Sequence, residues 1–144
     1  LYSQVIDAAH ADRASTFEQR FAQNGWTHTW RNGIYSFPHY HSTAHEVLGI
    51  ACGSARVRLG GDGGVVLDVK AGDALLLPAG VGHQNLSASA DLLVIGAYPK
   101  GQDWDLCRQA RGQRELYQIA RVSLPSRDPI GGVCGGLNEH WPHA

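Results

Sequence analysis

The spacing of apolar residues changes twice along this chain, near residue 25 and again after Pro99. The N-terminal segment 1–25 reads as helical, and in STFEQRFAQNG (15–25) Phe17 and Phe21 recur one turn apart on a common apolar face of a helix. Ser15 or Thr16 is placed as its N-cap, with Glu18 three residues after Ser15 as in a capping box, and Asn24-Gly25 as its stop. From Trp26 to Tyr98 the period becomes two and turns are frequent. GIYSFPHYH, EVLGIACG, SARVRLGG, VVLDV, ALLLP, HQNLSAS and DLLVIGAY read as short strands, and GGDGG (60–64) reads as a hairpin loop. About eight short strands so punctuated predict a mainly β fold, a sandwich or barrel over 26–98. In the polar remainder (99–144), RGQRELYQIARV sets Leu116 and Ile119 at helical spacing, which predicts one short C-terminal helix. The tail after it reads as loop packed against the barrel edge.

Composition narrows this picture only slightly. With 144 residues the chain reads as a single domain able to bury its own core, and 43% apolar against 17% charged residues places it with globular chains. A formal net charge of −1 with dispersed signs argues against a nucleic-acid footprint or a basic membrane face. Cys52, Cys107 and Cys134 form no zinc or redox motif, which suits reduced thiols in a cytoplasmic protein. No run of about 18 apolar residues occurs and the first residues lack a signal-peptide layout. The chain has no methionine even at position 1, so its start carries little weight on targeting.

Chemistry concentrates in PHYHSTAHEVLG (38–49). Side chains two apart on a strand share a face, so His39 and His41 point the same way, together with Tyr35 and Phe37. After a turn at Ser42–Ala44, Glu46 shares parity with Leu48, Ile50 and Cys52 and enters the same interior. His45 has the opposite parity and is set outside the ligand group. If the strand starting at Gly82 runs beside the first pair, His83 completes a set of three histidines and one carboxylate. Such a set suits one divalent transition metal ion (Mn, Fe, Co, Ni, Cu or Zn) and leaves positions for water or substrate. His10, His28, His140 and His143 have no partner pattern and are read as surface residues. Arg56 and Arg58 alternate with Val57 and Leu59 as an outer strand face. Tyr98 and Trp104 flank a loop that either lids the barrel or packs on it.

Gly33-(five)-His39-x-His41-(four)-Glu46-(six)-Gly53 matches the first motif of the cupin superfamily at every marked position. Gly72-(five)-Pro78-x-Gly80-(two)-His83 matches most of the second. HYHSTAHEVLG, LPAGVGH and GAYPKGQDWD also resemble a small single-domain bacterial cupin family, the YjlB-like proteins. The resemblance implies a double-stranded β-helix, a jelly-roll-type barrel, with His39, His41, Glu46 and His83 as metal ligands inside it. Leu86 stands where the second motif ends in asparagine, and Asn85, in parity with His83, is assigned to the pocket with Tyr35 and Phe37. Three functional expectations follow: an enzyme of the oxidoreductase or isomerase type acting on a small polar organic molecule, a non-catalytic binding or sensing module, or a metal-free barrel. A homodimer is expected by analogy. Acid is expected to release the metal below about pH 6, since coordinating histidines must be neutral.

Overall fold

The period-two stretch folds into two antiparallel sheets in the computed structural model, which describes residues 1–7 and 9–141; His143 lies outside the described residues. Helix α1 (Arg13–Gln23) precedes β1 (Trp26–Asn32), β2 (Glu46–Cys52), β3 (Ser54–Leu59), β4 (Val65–Lys70), β5 (Ala74–Leu77), β6 (His83–Ala88) and β7 (Leu93–Pro99). Helices α2 (Gln113–Ala120) and α3 (Gly136–His140) follow. One sheet has the order β1-β7-β2-β5 and the other β4-β3-β6. A bridge between His39 and His83 ties a further short extended segment to β6. Leu48, Ile50, Val57, Val69, Leu75, Leu77 and Val94 meet between the sheets, as the alternation of each strand requires. This is the double-stranded β-helix of jelly-roll type.

The central strands β2 and β7 are buried on both faces. Their outward residues Val47, Ala51, Ile95 and Ala97 pack under Phe17 and Phe21 of α1, whose rings are fully buried with centroids 5.5 Å apart. Gly49 makes this contact possible, because a Cβ there would stand 2.7 Å from the Phe17 ring. Truncating either phenylalanine to alanine is expected to cost about 3–5 kcal/mol. The helix starts earlier than Ser15. Asp12 is its N-cap, accepting the Ser15 N–H at 3.1 Å, and Glu18 is drawn off to Arg31 at 2.6 Å instead of closing a capping box. Residues before it are not helical throughout. Tyr2 pairs with Ala74 through backbone hydrogen bonds of 2.8 and 2.9 Å and covers the free edge of β5.

GGDGG is the β3–β4 hairpin loop, with Leu59 opposite Val65 and positive φ at Gly60 and Gly61. Helix α2 lies at the predicted place, and its Ile119 sits over the Pro78–Gly80 turn, where a Cβ on Gly80 would come within 2.8 Å of it. The tail read as loop also holds α3. Its Leu137 joins the α1 core, and the fully buried Asp128 carboxylate gathers the N–H groups of Ile130, Gly131 and Leu137 at 2.7–2.8 Å together with the Tyr2 hydroxyl. Among the described residues no helix is long and apolar enough to cross a membrane.

Candidate metal centre

His39 and His83 face each other across an antiparallel bridge, joined by backbone hydrogen bonds of 3.1 and 2.8 Å. This pairing puts their rings 4.0 Å apart. His41, two residues on, points the same way, its ring 5.4 Å from that of His83. Glu46 opens β2 opposite Leu77, and its Oε1 lies 3.3 Å from Nε2 of His41 and 3.3 Å from Nε2 of His83. All four side chains are 7% exposed or less, so each polar atom must be satisfied within the site.

The outer ring nitrogens decide what the inner ones can do. Nδ1 of His39 meets the Phe37 carbonyl at 3.0 Å, Nδ1 of His83 meets the Val81 carbonyl at 3.2 Å, and Nδ1 of His41 meets the Asp105 carbonyl. A carbonyl only accepts, so each Nδ1 carries a proton, and each ring when neutral turns a lone pair inward from Nε2. One ligand atom from each of these three histidines lies within 4.8 Å of the other two. An ion held at about 2.1 Å from its ligands needs neighbouring donors roughly 3.0–3.4 Å apart, and the two Glu46 separations of 3.3 Å fall in that range. With the rings neutral, three lone pairs and a carboxylate facing one another are all acceptors. The donor set fits a cation.

Charge is distributed unevenly among the four. Burial, reinforced by His83, pushes the His39 pKa down to about 4. His41 is also opposed by burial, but Glu46 and the Asp105 carbonyl outweigh it and leave its pKa raised. Burial alone would raise Glu46. Hydrogen bonds and charge from His41 and His83 overcome it and bring the carboxyl down to about 2. Glu46 is therefore a buried anion.

No family model matches the chain. A protein of Bacillus subtilis (strain 168), described as uncharacterised protein YjlB, is 40% identical over 126 residues, which span 86% of this chain and 76% of that one. The chain belongs to the YjlB-like cupins. Solved structures with similarity to it include a double-stranded β-helix protein from Klebsiella pneumoniae, at 18% identity and TM-score 0.40 over 56% of this chain and 72% of that one. Oxalate decarboxylase from Bacillus subtilis, described with Mn(II) centres, aligns at 17% identity and TM-score 0.45 over 81% of this chain and 36% of that one.

In this cupin the four side chains close one end of a cavity of about 330 Å³. Tyr35 lines it and is half-exposed at its mouth; Phe37 and Asn85 are absent from its lining. The chain bends at Ser36 and Phe37 before Pro38, so regular strand parity does not carry Phe37 inward. Its ring stacks on Tyr35 at 4.6 Å and lies 3.7 Å beneath the Arg108 guanidinium. The Asn85 N–H bonds to the Tyr35 carbonyl at 2.9 Å, and its buried Oδ1 has no hydrogen-bond partner. Trp104 is both lid and packing: half-exposed, it lines the cavity and stands 5.8 Å from the His41 ring.

Asp105 is the residue that sequence reasoning missed. Its carbonyl orients His41, while its carboxylate accepts the Ser42 N–H at 2.7 Å and the Ser42 hydroxyl, pinning the turn between the two halves of the first motif. His45 does not join the cavity lining. Only 7% exposed, it is a core residue rather than a surface one, with its Nδ1 accepting the Ala79 N–H at 2.9 Å and its ring 4.8 Å from Trp141.

Proposed function

We propose that this single-domain cupin holds one divalent transition metal ion through His39, His41, Glu46 and His83, and acts on a small organic molecule admitted to the adjoining cavity. The grouping of the His39, His41 and His83 ligand atoms within 4.8 Å of one another, with Glu46 Oε1 3.3 Å from Nε2 of His41 and of His83, supports this reading, because with the rings neutral such acceptors repel unless a cation joins them. When bound, such an ion supplies a Lewis acid that polarises an oxygen donor. The protein's part is positioning. Backbone carbonyls of Phe37, Val81 and Asp105 hold the three rings in one tautomer, as partners of metal-ligating histidines do. Burial and the charge of Glu46 keep Tyr98 protonated, so its hydroxyl stays neutral beside the carboxylate. Trp30 and Leu48 give the cavity apolar wall beside these residues.

Elemental analysis of the purified protein tests the reading. About one equivalent of a first-row transition metal per chain is expected, removable by a strong chelator and restored by the free ion. Failure of the stripped protein to take up any of Mn, Fe, Co, Ni, Cu or Zn would refute it.

One observation favours a non-catalytic binding or sensing role. Apart from the four residues above, the described cavity lining contains no histidine, carboxylate, cysteine or lysine to act as an independent general acid or base. A tightly held ligand that is never converted, with any metal and with or without oxygen, selects this role over enzymatic turnover. A cytoplasmic homodimer completes the proposal. Three free thiols suit a reducing compartment, and β4, with Val65 and Val66 exposed, leaves a strand edge for a second copy. Sizing at several concentrations is expected to return a dimer, and a monomer throughout removes that part.

A further inference from the structure

Beyond the histidines the cavity is walled by Trp30, Ile34, Tyr35, Leu48, Tyr98 and Trp104. The polar groups along this wall are largely occupied. The Trp30 indole N–H donates to the Tyr98 hydroxyl at 2.9 Å, and the Asn32 Oδ1 accepts the Gly33 N–H at 2.8 Å. Among the described residues, Arg31 is the one cationic side chain in the lining, apart from the titratable histidines. Its guanidinium is turned toward α1, with Nη2 at 2.6 Å from Glu18 Oε1, Nε at 3.2 Å from Glu18 Oε2, and Ser15 Oγ at 3.4 Å. The inner end holds the Glu46 carboxyl group, with Oε1 3.3 Å from Nε2 of His41 and of His83.

This distribution restricts what can enter. A second carboxylate or a phosphate on the ligand would be buried against aromatic rings with no cation to meet it. A sugar would leave several hydroxyls without partners. A planar ring loses little, since Trp30, Tyr98 and Trp104 line the cavity and give it aromatic surface to pack against, the Tyr98 and Trp104 rings being stacked on each other with centroids 6.1 Å apart and planes 16° from parallel. A volume of about 330 Å³ lies at the small end of ligand pockets, enough for a single ring with a short substituent.

We propose that the cavity selects a single-ring aromatic molecule with one polar end and at most one negative charge. The polar end lies at His39, His41 and His83, and the ring lies against Trp30, Tyr98 and Trp104. This deepens the function proposed above and rests on it for the polar end, whereas the aromatic preference rests on the wall alone.

The experiment titrates salicylate and malonate, both oxygen chelators, onto metal-loaded and metal-stripped protein, reading tryptophan fluorescence and calorimetric heat. Salicylate is expected to bind at least about tenfold tighter than malonate to the loaded protein, and to keep its preference, at lower affinity, in the stripped protein. Trp104→Ala, at a half-exposed position, is expected to weaken salicylate roughly three- to tenfold and malonate by less, with the metal still bound. Ile34→Lys is expected to narrow the gap by giving malonate a cation. Equal or tighter malonate binding, or no saturable salicylate binding to either form, overturns the proposal. A protein that takes up no metal yet still prefers salicylate over malonate removes the metal reading and supports the aromatic one.

Discussion

The two sides of the 39–46 stretch bury histidines of opposite tautomer. On the inner side, His39 and His41, with His83 across the bridge, direct Nδ1 to backbone carbonyls and are left with an Nε2 lone pair. On the outer side, His45 accepts a backbone N–H at Nδ1, so its proton resides on Nε2, which has only the Ser123 backbone nearby and makes no well-formed hydrogen bond. All four are at most 7% exposed, so burial does not separate them. The backbone group facing the outer nitrogen does. A carbonyl there puts the ring proton on Nδ1, and an N–H there puts it on Nε2.

The largest expected effect breaks the comparison in two. His39→Ala, His41→Ala and His83→Ala should each abolish stoichiometric metal, while His45→Gln should keep it and lose about 1–2 kcal/mol of stability from its disturbed packing. Metal analysis with urea unfolding on the four variants reads both quantities. Nitrogen-15 spectra of the wild-type rings sharpen the same point: three should carry hydrogen on Nδ1 and one on Nε2. Metal loss in His45→Gln of the same size as in the other three would erase the distinction.

A smaller effect is expected one step outward. Asp105→Ala removes the carboxylate that holds Ser42, and so loosens the segment whose carbonyl orients His41. Metal affinity should fall about 10- to 100-fold, the range typical of groups that orient a ligand without touching the ion. Competition with a fluorescent chelator measures this, and amide exchange at 41–45 should quicken in parallel. Unchanged affinity with quickened exchange would show that His41 is oriented without the strap.

How far the sequence anticipated this differs from residue to residue. Strand alternation and turn spacing were enough to anticipate the two-sheet architecture, and the His-x-His parity with His83 on a neighbouring strand anticipated the grouping of His39, His41 and His83, because period and turn chemistry are local properties. Phe37 was misread because two bends and a proline interrupt the strand whose parity the inference used. The N-cap was misread by three or four residues because Asp12 precedes the apolar face that marks the helix. Helix α3 has only five residues, too few for a period. Asp105 left no signal at all: its contribution to His41 is a backbone carbonyl, which every residue has, brought 64 positions along the chain by tertiary packing.

The smallest expected effect concerns protons and isolates His45. Burial holds its folded pKa down to about 4, with only partial opposition from the Ser123 backbone, whereas in the unfolded chain it titrates near about 6.5. Between those values the unfolded chain binds the extra proton, so the contribution of neutral His45 is complete above about pH 6.5 and is lost as the pH falls toward 4. Glutamine has no such titration. In metal-stripped protein, the stability advantage of wild type over His45→Gln should therefore shrink by about 1 kcal/mol between pH 7.5 and pH 5.5, read from urea midpoints in the two buffers. Metal-stripped protein is the appropriate form, because proton competition at the inner histidines would otherwise add its own slope. An advantage that stays constant across this interval would mean that His45 accepts its proton without unfolding, and that the outer side of the stretch is wetter than its apolar surroundings suggest.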